Sequence, residues 1–137
     1  ATQDTHACAC NGLGFAAEQQ RQWAVALQHY QRVLDEFPNA TQDTRARACN
    51  GLGYVTQQQG DLLQSAAHHQ RVLDDFPNAT QDTHACACNG LGFAAERQQQ
   101  WAVALQHYQR TLAEFPAADA STHTYARTAI ERVRAKG

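Results

Sequence analysis

The string Phe-Pro-Asn-Ala-Thr-Gln-Asp-Thr occurs twice, at residues 37–44 and 76–83, and the three prolines, Pro38, Pro77 and Pro116, stand 39 residues apart. Self-similarity at a period of 20–50 residues marks a chain built from units that cannot bury their apolar faces alone. Each must stack on its neighbours. Cutting at this period gives units 1–39, 40–78 and 79–117, followed by a remainder, 118–137. Units one and three differ only at Gln19/Arg97, Arg21/Gln99, Val33/Thr111, Asp35/Ala113 and Asn39/Ala117. Unit two departs from unit one at sixteen positions, mostly in its second half, so a two-unit block reads as having been duplicated.

Each unit reads as two helices. In unit two the first is expected from about Thr41 to Gln58, with Thr41 as N-cap and Asp43 in the first turn, where a carboxylate suits the helix dipole. Cys49, Leu52, Gly53 and Thr56 fall at helical spacing and should face inward. The second helix should begin after Gly60-Asp61 and stop at Phe76, because Pro77 disfavours a helical residue before it. In unit one the inward stripe of that helix is Trp23, Ala26, Leu27, Tyr30, Val33 and Leu34. No segment alternates as a strand would. The expected class is all-α.

These residues carry a family likeness. The unit resembles the tetratricopeptide repeat, with Leu13-Gly14, Trp23, Ala26, Tyr30 and Pro38 at the family's places, and Leu91-Gly92, Trp101, Ala104, Tyr108 and Pro116 in unit three. In unit two Gly60 falls on the family's turn glycine, with Pro77 seventeen residues on. The resemblance implies a right-handed α-solenoid of three helix-turn-helix repeats plus a C-terminal capping helix. It also implies a protein-binding scaffold. The period is longer than the family's usual ~34, by about one turn at the start of the first helix. Unit two has Leu62, Ser65 and His69 in place of Trp, Ala and Tyr, so it should pack less tightly. Cys10, Cys49 and Cys88 occupy the place that is usually aromatic.

The remainder aligns as a fourth first-helix. Laying Ala118 on Ala40 puts Ala126 on Ala48 and Ile130 on Leu52. No second helix follows, and Glu131, Arg132, Arg134 and Lys136 should give the array a polar end. The N-terminal end has no such cap, so its first helix should fray or pair with another molecule. The chain opens at a repeat boundary and has no methionine, which reads as a fragment of something longer.

Charge and composition narrow the partners. A net charge of −2, with ten arginines and one lysine, offers no basic field for nucleic acid. No apolar run approaches the roughly 18 residues of a membrane span. The five cysteines include Cys10, Cys49 and Cys88 at equivalent places in successive units. Packed helices stand about 10 Å apart, beyond the ~7 Å reach of a disulfide between Cα atoms. Five free thiols would suit a reducing compartment, the cytoplasm. His6 with Cys10, and His84 with Cys88, are four apart and could offer two metal ligands each. Zinc takes about four, and Arg45 opposes them, so no metal or other cofactor is expected. No nucleophile and base are spaced for catalysis, and His29, His68, His69 and His107 read as exposed. Asn-Gly-Leu-Gly at 11–14 lacks the spacing of a phosphate loop. Asn39-Ala40-Thr41 and Asn78-Ala79-Thr80 match the glycosylation pattern, which bears only on secreted eukaryotic proteins.

In the family the resemblance points to, one face of the first helices lines a binding groove. Mapped here, that face is Cys8, Asn11, Phe15 and Glu18; Arg47, Asn50, Tyr54 and Gln57; and Cys86, Asn89, Phe93 and Glu96. Tyr125, Thr128 and Arg132 continue it. Spacings of three and four keep each set on one stripe. The asparagine amides are expected to meet the backbone of a peptide ligand, the aromatics to hold its apolar side chains, and Arg47 to favour acidic ligands. The groove has no lysine, unlike the family's carboxylate clamp. The expected function is binding of a protein or peptide in this groove. The alternative is a self-assembly module whose near-identical ends stack copies end to end into a homo-oligomer.

Overall fold

A computed structural model describes residues 2–136. Among them are seven α-helices and no strand: α1 (Thr2–Gln19), α2 (Trp23–Glu36), α3 (Gln42–Gln58), α4 (Leu62–Asp75), α5 (Gln81–Arg97), α6 (Trp101–Glu114) and α7 (Ala120–Lys136). They form three helical hairpins and a closing helix, each packed on the next in chain order. The second helices open at Trp23, Leu62 and Trp101, 39 residues apart. This is an all-α solenoid.

The caps explain the boundaries. Thr41 and Thr80 accept from the backbone N–H groups of Thr44 and Thr83, and Asp61 does the same for Gln64. Second helices end at Phe37, Phe76 and Phe115, where the following proline stops them and the ring turns inward. The tight turn inside each hairpin needs one residue at positive φ. Gly60 supplies it in the middle hairpin (φ 84°), but Arg21 (φ 58°) and Gln99 (φ 59°) hold the same place in the outer two, where a Cβ is strained.

Each first helix has three working faces. One packs under its own second helix: Ala7, Cys10, Gly14 and Ala17 are buried there, as are Ala46, Cys49, Gly53 and Thr56 and, in the third hairpin, Ala85, Cys88, Gly92 and Ala95. In α7 the corresponding places hold Thr124, Arg127, Glu131 and Arg134, all exposed, so α7 turns charge outward where the other first helices take a partner. A second face meets the preceding hairpin through Ala48, Leu52 and Val55, Ala87, Leu91 and Ala94, or Ala126, Ile130 and Val133, every one buried. The third face looks into the groove.

Glycines let the helices close on a ring. A Cβ on Gly14 or Gly51 would stand 2.6–2.9 Å from atoms of the Tyr30 ring, so this tyrosine is clasped between its own first helix and the next. His69 is clasped the same way by Gly53 and Gly90. The expectation of a loose, polar middle hairpin is corrected by its bonding. Ser65 is fully buried and donates to the Gly53 carbonyl at 2.8 Å, and His69 is 5% exposed with Nδ1 3.0 Å from Asn50 Oδ1. His69 is therefore not an exposed histidine.

Successive hairpins are also stitched by hydrogen bonds. Gln3, Gln42 and Gln81 accept from the backbone N–H of Asn39, Asn78 and Ala117, each at 2.8 Å. Asp4, Asp43 and Asp82 accept from the N–H of Thr41, Thr80 and Asp119 at 2.9–3.0 Å. The recurrent Gln-Asp is thus a joint between hairpins as well as a helix start. Burial pushes the Asp43 carboxyl up, but hydrogen bonds from Thr83 and Thr80 outweigh it and hold the group below the usual range.

Candidate interaction groove

The first helices bring most of the mapped face together. A cavity of about 550 Å³ opens along α1, α3, α5 and α7, lined by Phe15, Glu18, Asn50, Tyr54, Gln57, Cys86, Asn89, Phe93 and Tyr125. Its rings are poorly covered for their size: Phe15 is 57% exposed, and Tyr54 and Tyr125 are each 43% exposed. Cys8, Asn11 and Arg47 lie apart, with Gly12, Phe15 and Tyr30, in a smaller cavity of about 360 Å³. Glu96 and Arg132 form an ion pair at the α5–α7 end. Gly51, Gly90, His69, Ser121 and Thr122 also line the large cavity and were not on the mapped face. The paired glycines of each Asn-Gly-Leu-Gly were the available signal, since two close approaches on one helix need two residues without Cβ.

The asparagines also have partners inside the fold. Asn11 Nδ2 donates to the Thr44 carbonyl at 3.1 Å, Asn50 to Thr83 at 3.0 Å, and Asn89 to Thr122 at 3.2 Å. These amides tie each first helix to the next, and Asn89 is only 8% exposed. One N–H of each amide is thus held within the fold. The carbonyl ends differ. Asn50 Oδ1 meets His69, and Asn89 Oδ1 accepts from the Thr111 hydroxyl at 2.9 Å. Val33 stands at the place of Thr111 in the first hairpin, and Asn11 Oδ1 is left buried without a partner.

Two equivalent glutamates diverge electrostatically. Each accepts from its hairpin's tyrosine, Glu18 from Tyr30 at 2.8 Å and Glu96 from Tyr108 at 2.9 Å. Burial raises Glu18. Hydrogen bonding from Arg132, whose Nη2 lies 2.8 Å from Glu96 Oε1, lowers Glu96. The cause is the next helix: Arg132 of α7 occupies the place that Tyr54 takes beside Glu18. Cys86 is exposed as a residue, but desolvation of its sulfur, with the Asp82 charge beside it, pushes the thiol up to about 11, leaving it protonated and poorly nucleophilic at neutral pH. All five cysteines are unpaired. His84, half of one possible metal pair, directs Nε2 to the Phe76 carbonyl at 2.8 Å.

No helix among the described residues is long and apolar enough to cross a membrane. None of the curated proteins matches the chain. The family model for the tetratricopeptide repeat matches at two places, residues 12–40 and 90–118. Both stretches run from the paired glycines of a first helix, through the second helix, to the residue two beyond its proline. Repeats of this kind serve in general as non-catalytic scaffolds for protein–protein interaction. With helices stacked in sequence order, the first and third hairpins carry the repeat pattern of the tetratricopeptide repeat family.

Proposed function

We propose that the chain binds an extended peptide or protein segment along the first-helix groove, and that it acts as a scaffold rather than a catalyst. One observation carries the reading. Phe15, Tyr54 and Tyr125 come from three different first helices, stand more than two-fifths exposed, and converge with half-buried Phe93 on one cavity. Large rings in a shared groove, with no core to fill, are the kind of surface a partner covers. Since one N–H of each asparagine is held within the fold, selectivity rests chiefly on these rings, on exposed Arg47 towards one end, and on the Glu18 carboxylate and Gln57 amide one turn beyond the rings. The ligand is apolar at intervals. Its segment beside Arg47 is acidic. The five unpaired thiols support a reducing, cytoplasmic setting.

End-to-end stacking of copies has less support, because α7 places Glu131 where the other first helices need glycine and Arg134 where they bury a small residue. The test is selection of peptides against the chain from a random display library, followed by titration. Tyr54→Ala and Phe93→Ala are expected to weaken the selected peptide at least about tenfold each. Gln70→Ala on an outer face should leave affinity unchanged. If the ring variants bind as the control does, the groove is not the site.

A further inference from the structure

Two equivalent carboxylates face the groove, and only one of them has its cation. Glu96 accepts from the Tyr108 hydroxyl at 2.9 Å and from both Nε and Nη2 of Arg132, the latter at 2.8 Å. A guanidinium fork thus closes on it from the next first helix. Glu18 accepts from the Tyr30 hydroxyl at 2.8 Å in the same way. Laying α7 on α3 shows what differs: α7 carries Tyr125 and Arg132 where α3 carries Arg47 and Tyr54, the same two residue types in exchanged order. The exchange puts a ring that is 43% exposed beside Glu18 in place of a guanidinium. Arg47 stands two turns back along α3, in the smaller cavity with Cys8 and Asn11. Among the described residues no ion pair reaches Glu18. This carboxyl is half-buried, burial raises it, and it opens on the large cavity with Phe15 and Tyr54. A partly desolvated acid with no cation costs stability. Gln57 holds the equivalent place in the middle hairpin, so the repeat itself does not require a charge there.

We propose that Glu18 receives an arginine side chain of the bound peptide, whose guanidinium takes the place that Arg132 fills on Glu96. The inference rests on the groove reading and deepens it by naming a residue that the ligand carries. Three features fit a guanidinium here. Tyr30 bonds only Oε1 of Glu18, which leaves Oε2 to a second N–H donor. Phe15, one turn earlier on α1, and Tyr54, on the neighbouring first helix, are exposed rings against which a planar cation stacks. Arg132 on Glu96 shows that a carboxylate already bonded by its hairpin's tyrosine still accepts the fork. With its acidic segment beside Arg47 and its arginine beside Glu18, the ligand bears charges of both signs.

The test takes peptides selected against the whole chain from a random display library. Each is synthesised with arginine and, at the same position, with citrulline, which keeps the side chain's shape and loses its charge. The selected peptides should share an arginine, and citrulline in its place should weaken binding at least about tenfold. Glu18→Gln keeps an acceptor for Tyr30, so its melting temperature should match that of the unaltered chain. It should weaken the arginine peptide by a similar factor and bind the two peptides alike. A second variant supplies the cation from within. Tyr54→Arg should melt no lower than Tyr54→Ala and should lose the preference for arginine, whereas Tyr54→Ala should bind more weakly but keep most of it. An arginine preference that survives Glu18→Gln would overturn the proposal. So would selected peptides that lack arginine yet depend on Tyr54 and Phe93, and in both cases the groove reading would stand. Peptides whose binding ignores Tyr54 and Phe93 would remove the groove reading and this inference with it.

Discussion

His69 is an ionisable ring in a place its neighbours give to tyrosine, and this makes the middle hairpin sensitive to acid. The ring is 5% exposed, clasped between Gly53 and Gly90, with Nδ1 on Asn50 Oδ1. Burial, and then the neighbouring His68, push it from the ordinary 6.5 down to about 4. A histidine depressed in the fold binds its proton more readily in the unfolded chain. Its contribution is therefore complete above pH 6.5 and is lost as pH falls from there towards 4. A gap of about 2.5 pH units at about 1.4 kcal/mol each amounts to about 3 kcal/mol in all, of which about 2 kcal/mol is lost between pH 7 and pH 5. His69→Tyr, which restores the residue of the outer hairpins, removes the titration and leaves every other group in place. Urea unfolding at pH 7 and pH 5 should show the wild type losing about 2 kcal/mol more than the variant over that interval. The His69 imidazole resonance should move with a midpoint near 4. Parallel losses in the two proteins, or a midpoint near 6.5, would refute the reasoning.

Three further outcomes are expected. Arg21→Gly and Gln99→Gly should each stabilise by about 0.5–1 kcal/mol in chemical unfolding, because both relieve a positive φ, while Gly60→Gln should cost about 1 kcal/mol. Val33→Thr should be neutral or stabilising at a core position where a hydroxyl would ordinarily cost 1–2 kcal/mol, because it gives Asn11 Oδ1 the partner Asn89 has, whereas Thr111→Val should cost about 1–3 kcal/mol; equal losses from both changes would show that the orphaned oxygen is not the cause. A thiol reagent at neutral pH should label Cys8 first in the folded protein and reach buried Cys10, Cys49 and Cys88 only on unfolding, five thiols in total; immediate labelling of all five would contradict their burial.

How much of this was legible beforehand depended on the range of the interaction. The helices, their ends and the fourfold register of first helices follow from local rules: a threonine or aspartate at a start, a proline after a phenylalanine at an end, apolar residues at 3.6-residue spacing. Repetition multiplied that signal, so Thr41 as a cap and Ala126 and Ile130 as buried residues could be named from sequence. The groove face was also legible in outline, because a stripe of three and four spacings is a property of one helix.

What each side chain does on that face was decided by the neighbouring hairpin, 33 to 40 residues away in sequence. Asn50 reads as a free amide until Thr83 of the next hairpin takes one of its N–H groups, while His69 of its own hairpin meets its oxygen. Glu18 and Glu96 are the same residue in the same motif, yet they shift in opposite directions because the next helix offers a tyrosine to one and Arg132 to the other. Gly12, Gly51 and Gly90 are likewise identical in sequence, but only the last two hold a ring. The sequence alone determined a solenoid, since periodicity and capping act within a turn or two of chain. Only the tertiary structure decided which polar groups are spent and which faces stay open, since hydrogen bonding and burial depend on the atoms the next hairpin brings.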